Sequence, residues 1–137
     1  MDGDHTKGPG QMGNAWFTGT NPGGNEFVGD VEGGPCILTS PNFSVIGDSI
    51  LSFWYFFGAV PFCSRTSFVI DMSFDDGVTW MVELVRFQAV VMDGAWTFVK
   101  TNLPSGTMNV RVRMRVTDGD SCALEAGIDD FLICPIG

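Results

Sequence analysis

Positive charge and histidine are scarce in this chain. Seven Lys and Arg stand against sixteen Asp and Glu, there is one histidine, His5, and the formal net charge is -9. A field of that sign opposes a sequence-independent grip on nucleic acid or on an anionic membrane surface, and it suits bound cations. Long hydrophobic runs are also missing: the densest, Ile50 to Phe57, is strand-sized and far short of a membrane span. No Cys-x-x-Cys pair occurs, and a single histidine cannot complete the usual ligand set, so zinc is not expected. No Ser or Cys sits in a nucleophile elbow near His5, and no phosphate-cradling glycine loop follows a strand. A glycosidase would need two positioned acids in a cleft, whereas Asp75-Asp76 belongs to a turn. No catalytic residues are therefore assigned, and the chain is read as a non-enzyme. Met1 leads into the largely polar stretch Asp2 to Asn14 with no apolar signal core, so a secreted chain is expected here in a mature or trimmed form.

What is present points to strands. The 137 residues suit one domain, 1–137, with a loop-rich segment over 1–34. Only 17% are charged, while 12 Phe, 4 Trp, 18 Gly and 7 Pro favour strands joined by turns. Strands are expected near Cys36 to Thr39, Ser49 to Phe57, Ser67 to Phe74, Thr79 to Phe87, Trp96 to Asn102, Asn109 to Thr117 and Glu125 to Cys134, with one or two short ones around Ala15-Trp16-Phe17 and Phe27-Val28. Val110, Val112, Met114 and Val116 alternate with Arg111, Arg113 and Arg115, placing an apolar row inward and a basic row outward. Phe68, Ile70 and Met72 face one way, with Val69, Asp71 and Ser73 the other. Ile50 to Phe57 does not alternate: Leu51, Phe53, Tyr55 and Phe57 fill one face, Ile50, Trp54 and Phe56 the other. Such a strand belongs mid-sheet with its outer side covered by a loop, a partner or a ligand. The fold class is an all-β, two-sheet antiparallel sandwich of jelly-roll type.

Two motifs carry a family resemblance. Ser73-Phe74-Asp75-Asp76-Gly77-Val78-Thr79-Trp80 fits S-x-D-x-G-x-T-W, the Asp-box. Asp75 is placed to accept N–H bonds across the turn, Gly77 to take φ > 0 and Trp80 to pack beneath the loop. Propellers repeat this motif once per blade; a single copy excludes a propeller. Glu125-Ala126-Gly127-Ile128-Asp129-Asp130-Phe131 resembles the A-[IL]-D-D-[IVF] ending of MAM domains and of related bacterial jelly-roll modules attached to secreted proteases and adhesins. Asp4-His5-Thr6, Leu38-Thr39-Ser40-Pro41, Leu51-Ser52-Phe53-Trp54-Tyr55 and Val110-Arg111-Val112-Arg113 resemble further MAM segments in the same order. Domains of this kind open with one more strand upstream of the D-H-T stretch, and none precedes Asp4 here. Either it was trimmed, or the sandwich keeps a groove that another chain fills by strand addition.

The three-residue step from Ile128 to Phe131 implies a bulge around Asp129 and Asp130 that turns one carboxylate inward. The resemblance implies a structural calcium site there, with Asp129 and Asp130 joined by Asp2 and Asp4 and by Asp30 as a further candidate. The other reading is a hydrogen-bonded or Arg-paired carboxylate. Asp118-Gly119-Asp120 is a weaker cation candidate that reads better as a solvated turn. The outward Arg111, Arg113 and Arg115 suit an acidic glycan or a partner carboxylate, or ion pairs with Asp71, Glu83 or Glu125 across strands. Trp54 and Phe56 suit a sugar ring, or cover by a loop or another subunit.

Four scattered cysteines suggest two disulfides and an oxidising compartment, against free thiols in a cytosolic domain. With strand 49–57 antiparallel to 125–134, the expected pairs are Cys63–Cys122 and Cys36–Cys134, one of three connectivities. Asn42-Phe43-Ser44 is a glycosylation sequon that matters only in a secretory eukaryote. Two functions follow. One is an extracellular adhesion or interaction module binding a protein or glycan partner. The other is a self-assembling extracellular subunit, in filament or oligomer, which the doubly apolar strand, the run Phe87 to Met92 and a mean hydropathy of +0.19 favour.

Overall fold

The computed structural model describes residues 15–18, 34–59, 65–87, 90–91, 95–103, 105, 107–118 and 124–136. Ten strands are found: β1 (Trp16–Phe17), β2 (Cys36–Thr39), β3 (Phe43–Val45), β4 (Ser49–Ala59), β5 (Ser67–Ser73), β6 (Met81–Phe87), β7 (Val90–Val91), β8 (Thr97–Leu103), β9 (Thr107–Thr117) and β10 (Leu124–Pro135). They form two five-stranded sheets. In the first, β4 lies between β10 and β8, with β1 on the far edge of β10 and β7 beside the end of β4. In the second, β9 and β5 are central, with β6 outside β5 and both β2 and β3 on the free side of β9. All pairings are antiparallel except the two-residue contact of β7 with β4.

The packing follows from period-two alternation. Leu51, Phe53 and Phe57 of β4 and Leu124, Ala126 and Ile128 of β10 meet Phe68, Ile70 and Met72 of β5 and Val110, Val112, Met114 and Val116 of β9 in one core. Phe68 ties the layers together, lying edge-on to Tyr55 at 6.0 Å and to Phe57 at 5.7 Å between ring centroids. Aromatic pairs in that geometry add to plain area burial.

Two features differ from the sequence reading, and the bulge agrees with it. β3 and β7 are too short, at three and two residues, to produce a visible pattern of their own. On β5 the residues facing away from the core, Val69, Asp71 and Ser73, are buried as well. β5 is central in its sheet, and the arginines of β9 lie over its outer side. At the predicted bulge the register between β10 and β4 shifts between Asp129 and Leu132, and Ile128 and Phe131 both reach the core, Phe131 stacking 6.4 Å from Phe53.

Phe53 is fully buried at the centre of β4. Phe53→Ala is expected to lower the unfolding free energy by about 3–5 kcal/mol, measured by urea titration of Trp fluorescence; a loss below 1 kcal/mol, on the order of one exposed substitution, would mean this layer is not close-packed.

Candidate functional site

The outer face of the β4 sheet is aromatic because β4 carries large side chains on both sides. Trp54 lies opposite Phe98 of β8, their rings 5.3 Å apart. Phe56 is buried beside Trp96 at 6.3 Å, and Trp96 in turn meets Phe17 of β1 at 5.8 Å. Phe17 lies across Gly127, where a Cβ would come within 2.8 Å of its ring, so glycine is what lets β1 close on β10. Of the two residues expected on a binding face, Phe56 is therefore covered by neighbouring rings, while Trp54 is half-buried and Phe98 is 50% exposed. Ser52 and Lys100 form the next row on this face, flanked by the exposed Leu132.

The outer face of the second sheet is ionic. Asp71 has no exposed surface, and its carboxylate accepts Arg113 Nε at 2.7 Å, Arg115 Nε and Nη2, and the Glu83 N–H at 2.7 Å. Burial opposes its charge, but the hydrogen bonds from Arg115, Glu83 and Arg113 outweigh that and hold the carboxyl at about 2. Arg115 is pushed up in turn by its bond to Asp71. The Arg113 guanidinium also lies 4.2 Å from the Trp80 ring centroid, a cation–π contact. Arg111 pairs with Asp76 and donates to the Ser40 carbonyl, and Arg86 pairs with Glu83. Of the three expected ion-pair partners, Asp71 bonds Arg113 and Arg115, the Glu83 carboxylate pairs instead with Arg86 outside the stripe, and Glu125 lies on β10 in the other sheet.

The hairpin between β5 and β6 is built by its own polar side chains. Ser73 Oγ accepts the Gly77 N–H at 2.8 Å, and Asp75 accepts the Thr79 N–H at 2.8 Å and its hydroxyl. Those bonds hold the Asp75 carboxyl at about 2. Gly77 has φ +89°, and Trp80 Nε1 donates to its carbonyl. Asp76, held below the usual carboxylate range by Arg111 and Asn42, links the hairpin to β9 and to the β2–β3 turn.

At the β10 bulge Asp129 is buried and Asp130, with φ 52°, is exposed; the Asp130 N–H donates to Asp129 Oδ1. Both line a cleft of about 260 Å³ walled by Trp16, Leu38, Met114 and Phe131. Asp2, Asp4 and Asp30 lie outside the described residues, as does the Gly119-Asp120 part of the second cation candidate, whose Asp118 is buried. Among the described residues no group of three His, Cys, Asp or Glu is placed to hold a metal ion.

Cys36 and Cys134 are free thiols, which corrects the expected Cys36–Cys134 pair. Cys36 lies opposite Val116, level with Phe68, and Phe68 packs on Tyr55 and Phe57. Cys134 lies opposite Ile50, five residues earlier on β4 and hence about 17 Å along the strand, beyond any disulfide span. Cys63 and Cys122 lie outside the described residues.

Sequence reasoning missed Phe98, Trp96 and Phe17 as members of the aromatic face, since only the register of β8 and β1 places them there. It also missed Arg113 on Trp80, which depends on how the hairpin folds back over β9.

No family model matches this chain, and no curated protein matches it. Solved structures share its fold. The K1 cleaved adhesin domain of Lys-gingipain from Porphyromonas gingivalis W83 is similar with a TM-score of 0.61 at 18% identity, over 90% of this chain and 73% of that one. The K3 cleaved adhesin domain of the same protein gives 0.57 at 19% identity, over 89% and 72%. At such identities the likeness is one of architecture.

The Asp71 carboxyl sits below its unfolded value of 3.8, so its contribution is complete above that value and fades as pH falls toward 2. Thermal unfolding from pH 5 to pH 2 is expected to show a loss of about 2 kcal/mol from this group. Asp71→Asn is expected to cost about 2–3 kcal/mol at pH 7 and to reduce the acid-side slope; an unchanged slope would remove Asp71 from the account.

Proposed function

We propose that this chain is a non-catalytic, extracellular adhesion or interaction module that binds a protein or carbohydrate partner through the outer face of its β4 sheet. The observation that carries this reading is the Trp54–Phe98 pair, a half-exposed aromatic platform on a rigid sheet with Ser52 and Lys100 beside it. Exposed aromatics flanked by hydrogen-bonding groups suit the face of a sugar ring or an apolar patch of a protein. The likeness in fold to adhesin domains, at low identity, supports the same class of activity and an extracellular setting. No helix among the described residues is long and apolar enough to cross a membrane.

The test is retention on a glycan array and on a panel of purified extracellular-matrix proteins. Wild-type protein is expected to be retained, and the double variant Trp54→Ala/Phe98→Ala to lose roughly tenfold or more in affinity while unfolding at a similar temperature. Retention unchanged in the double variant would move the site elsewhere.

One observation favours a second reading, a self-assembling subunit. Ile46 (93% exposed), Val78 (80%) and Met108 (70%) gather at one end of the sandwich with Ile136, because Asp76 N donates to the Asn109 carbonyl and Ile136 N to that of Asp48. Strand addition along β10 belongs to this reading, since among the described residues β1 and Thr18 cover Ala126 to Ile128 of that edge. Filaments or fixed oligomers in ligand-free size-exclusion chromatography would select it.

Structural calcium at the β10 bulge goes with either reading, because Asp129 and Asp130 offer hard oxygen donors beside a cleft. Chelation with EDTA is expected to lower the melting temperature of wild-type protein and to leave that of Asp129→Asn unmoved. Identical melting curves with and without EDTA would end the calcium reading.

A further inference from the structure

On the ionic face of the second sheet the pairing of charges is uneven. Arg86 pairs with Glu83 and Arg111 with Asp76, one to one, whereas Arg113 and Arg115 share the single carboxylate of Asp71. One guanidinium charge there has no carboxylate of its own. It resides at Asp71, where one carboxylate serves two guanidiniums.

Both guanidiniums are fixed from below and open above. Arg113 spends Nε on Asp71 and one ring face on Trp80; Arg115 spends Nε and Nη2 on Asp71. The two Nη groups of Arg113 and Nη1 of Arg115 have no partner among the described residues, and each side chain keeps about a fifth of its surface exposed, 21% and 23%. Holding a planar donor fork in place before a ligand arrives removes much of the ordering cost of binding. Arginine is suited to this task because its fork matches the two oxygens of a carboxylate.

The neighbours define the rest of the ligand. Ile37, opposite Arg115, is 49% exposed, and Thr39, opposite Arg113, is exposed too. An apolar side chain thus flanks the cationic pair. Trp80 has Arg113 over its ring and Gly77 against its edge, so no free aromatic platform stands here for a sugar. The arginines on β9 are two residues apart, about 7 Å, which is the repeat of alternate side chains in an extended peptide.

We propose that Arg113 and Arg115 form a preorganised receptor for a carboxylate of an acidic, partly apolar protein segment lying extended along β9. This deepens the interaction-module reading and rests on it, yet uses the sheet opposite the aromatic face.

The experiment titrates the folded chain with a short capped peptide of alternating Val and Glu, following the Arg113 and Arg115 Nε–H resonances by NMR. Saturable shifts at both arginines are expected, weakening as salt is raised. Removing either arginine would strip a buried carboxylate of its partner, so the diagnostic variant is Ile37→Glu. It adds a carboxylate beside Arg115 while keeping Asp71 and both arginines, and is expected to weaken the peptide roughly tenfold or more without lowering the melting temperature. Ile37→Thr, which removes only apolar surface, is expected to weaken it about two- to threefold. Equal binding of a Val-Lys peptide, binding unaffected by Ile37→Glu, or capture of heparin at these resonances without capture of the Val-Glu peptide would each overturn the proposal. Loss of partner binding in the Trp54→Ala/Phe98→Ala variant with peptide binding intact separates failure of one face from failure of the other.

Discussion

A strand that is apolar on both faces cannot sit at a surface, and β4 is such a strand. Leu51, Phe53 and Phe57 on its inner side require an opposing sheet, which β5 and β9 supply with Phe68, Ile70 and the valines of β9. Trp54 and Phe56 on its outer side require cover that the opposing sheet cannot give. Trp96 and Phe98, from the β8 segment, and Phe17, from β1, provide part of it. The position of β4 between β10 and β8, the course of β8 and the attachment of β1 all answer to this one demand.

The second sheet meets the same demand by other means. β5 is also buried on both faces, but its outer side carries Asp71 rather than an aromatic ring. A buried carboxylate needs its lone pairs satisfied, and the arginines of β9 reach across one strand spacing to do so. Their stems cover Val69, and their head groups neutralise the anion. The two outer faces thereby acquire different chemical characters, aromatic on one and ionic on the other, from one architectural problem.

Much of this was legible in the residues. The seven main strands stand within a few residues of where alternation and turn signals place them, since Val110 to Val116 can face a core in only one register and Ile50 to Phe57 is an apolar run of strand length. The bulge was legible because Ile128 and Phe131 could not both point inward without one. The aromatic cover over Phe56 was not, since Phe17 and Trp96 are distant in sequence and only strand order joins them. The proposed Cys36–Cys134 bridge failed for a related reason: neighbouring strands were identified, but not the level along β4 at which each cysteine falls. The arginine stripe was read with its alternatives open. Register supplies the ion pairs among them, putting Asp71 opposite Arg113 and diagonal to Arg115.

The short first strand has a consequence for the way this molecule breathes. Among the described residues β1 pairs with β10 through two residues, with Thr18 exchanging hydrogen bonds with Ala126, the Phe17 ring resting on Gly127 and Trp96, and Trp16 against the core. So slender an attachment detaches at a far smaller free-energy cost than the long pairings of β4. When it lifts, the flank of β10 and the cleft beside Trp16 open together while both layers of the sandwich stay intact. Among the described residues this edge is a narrow seam, at which backbone can be traded at lower cost than the interior melts.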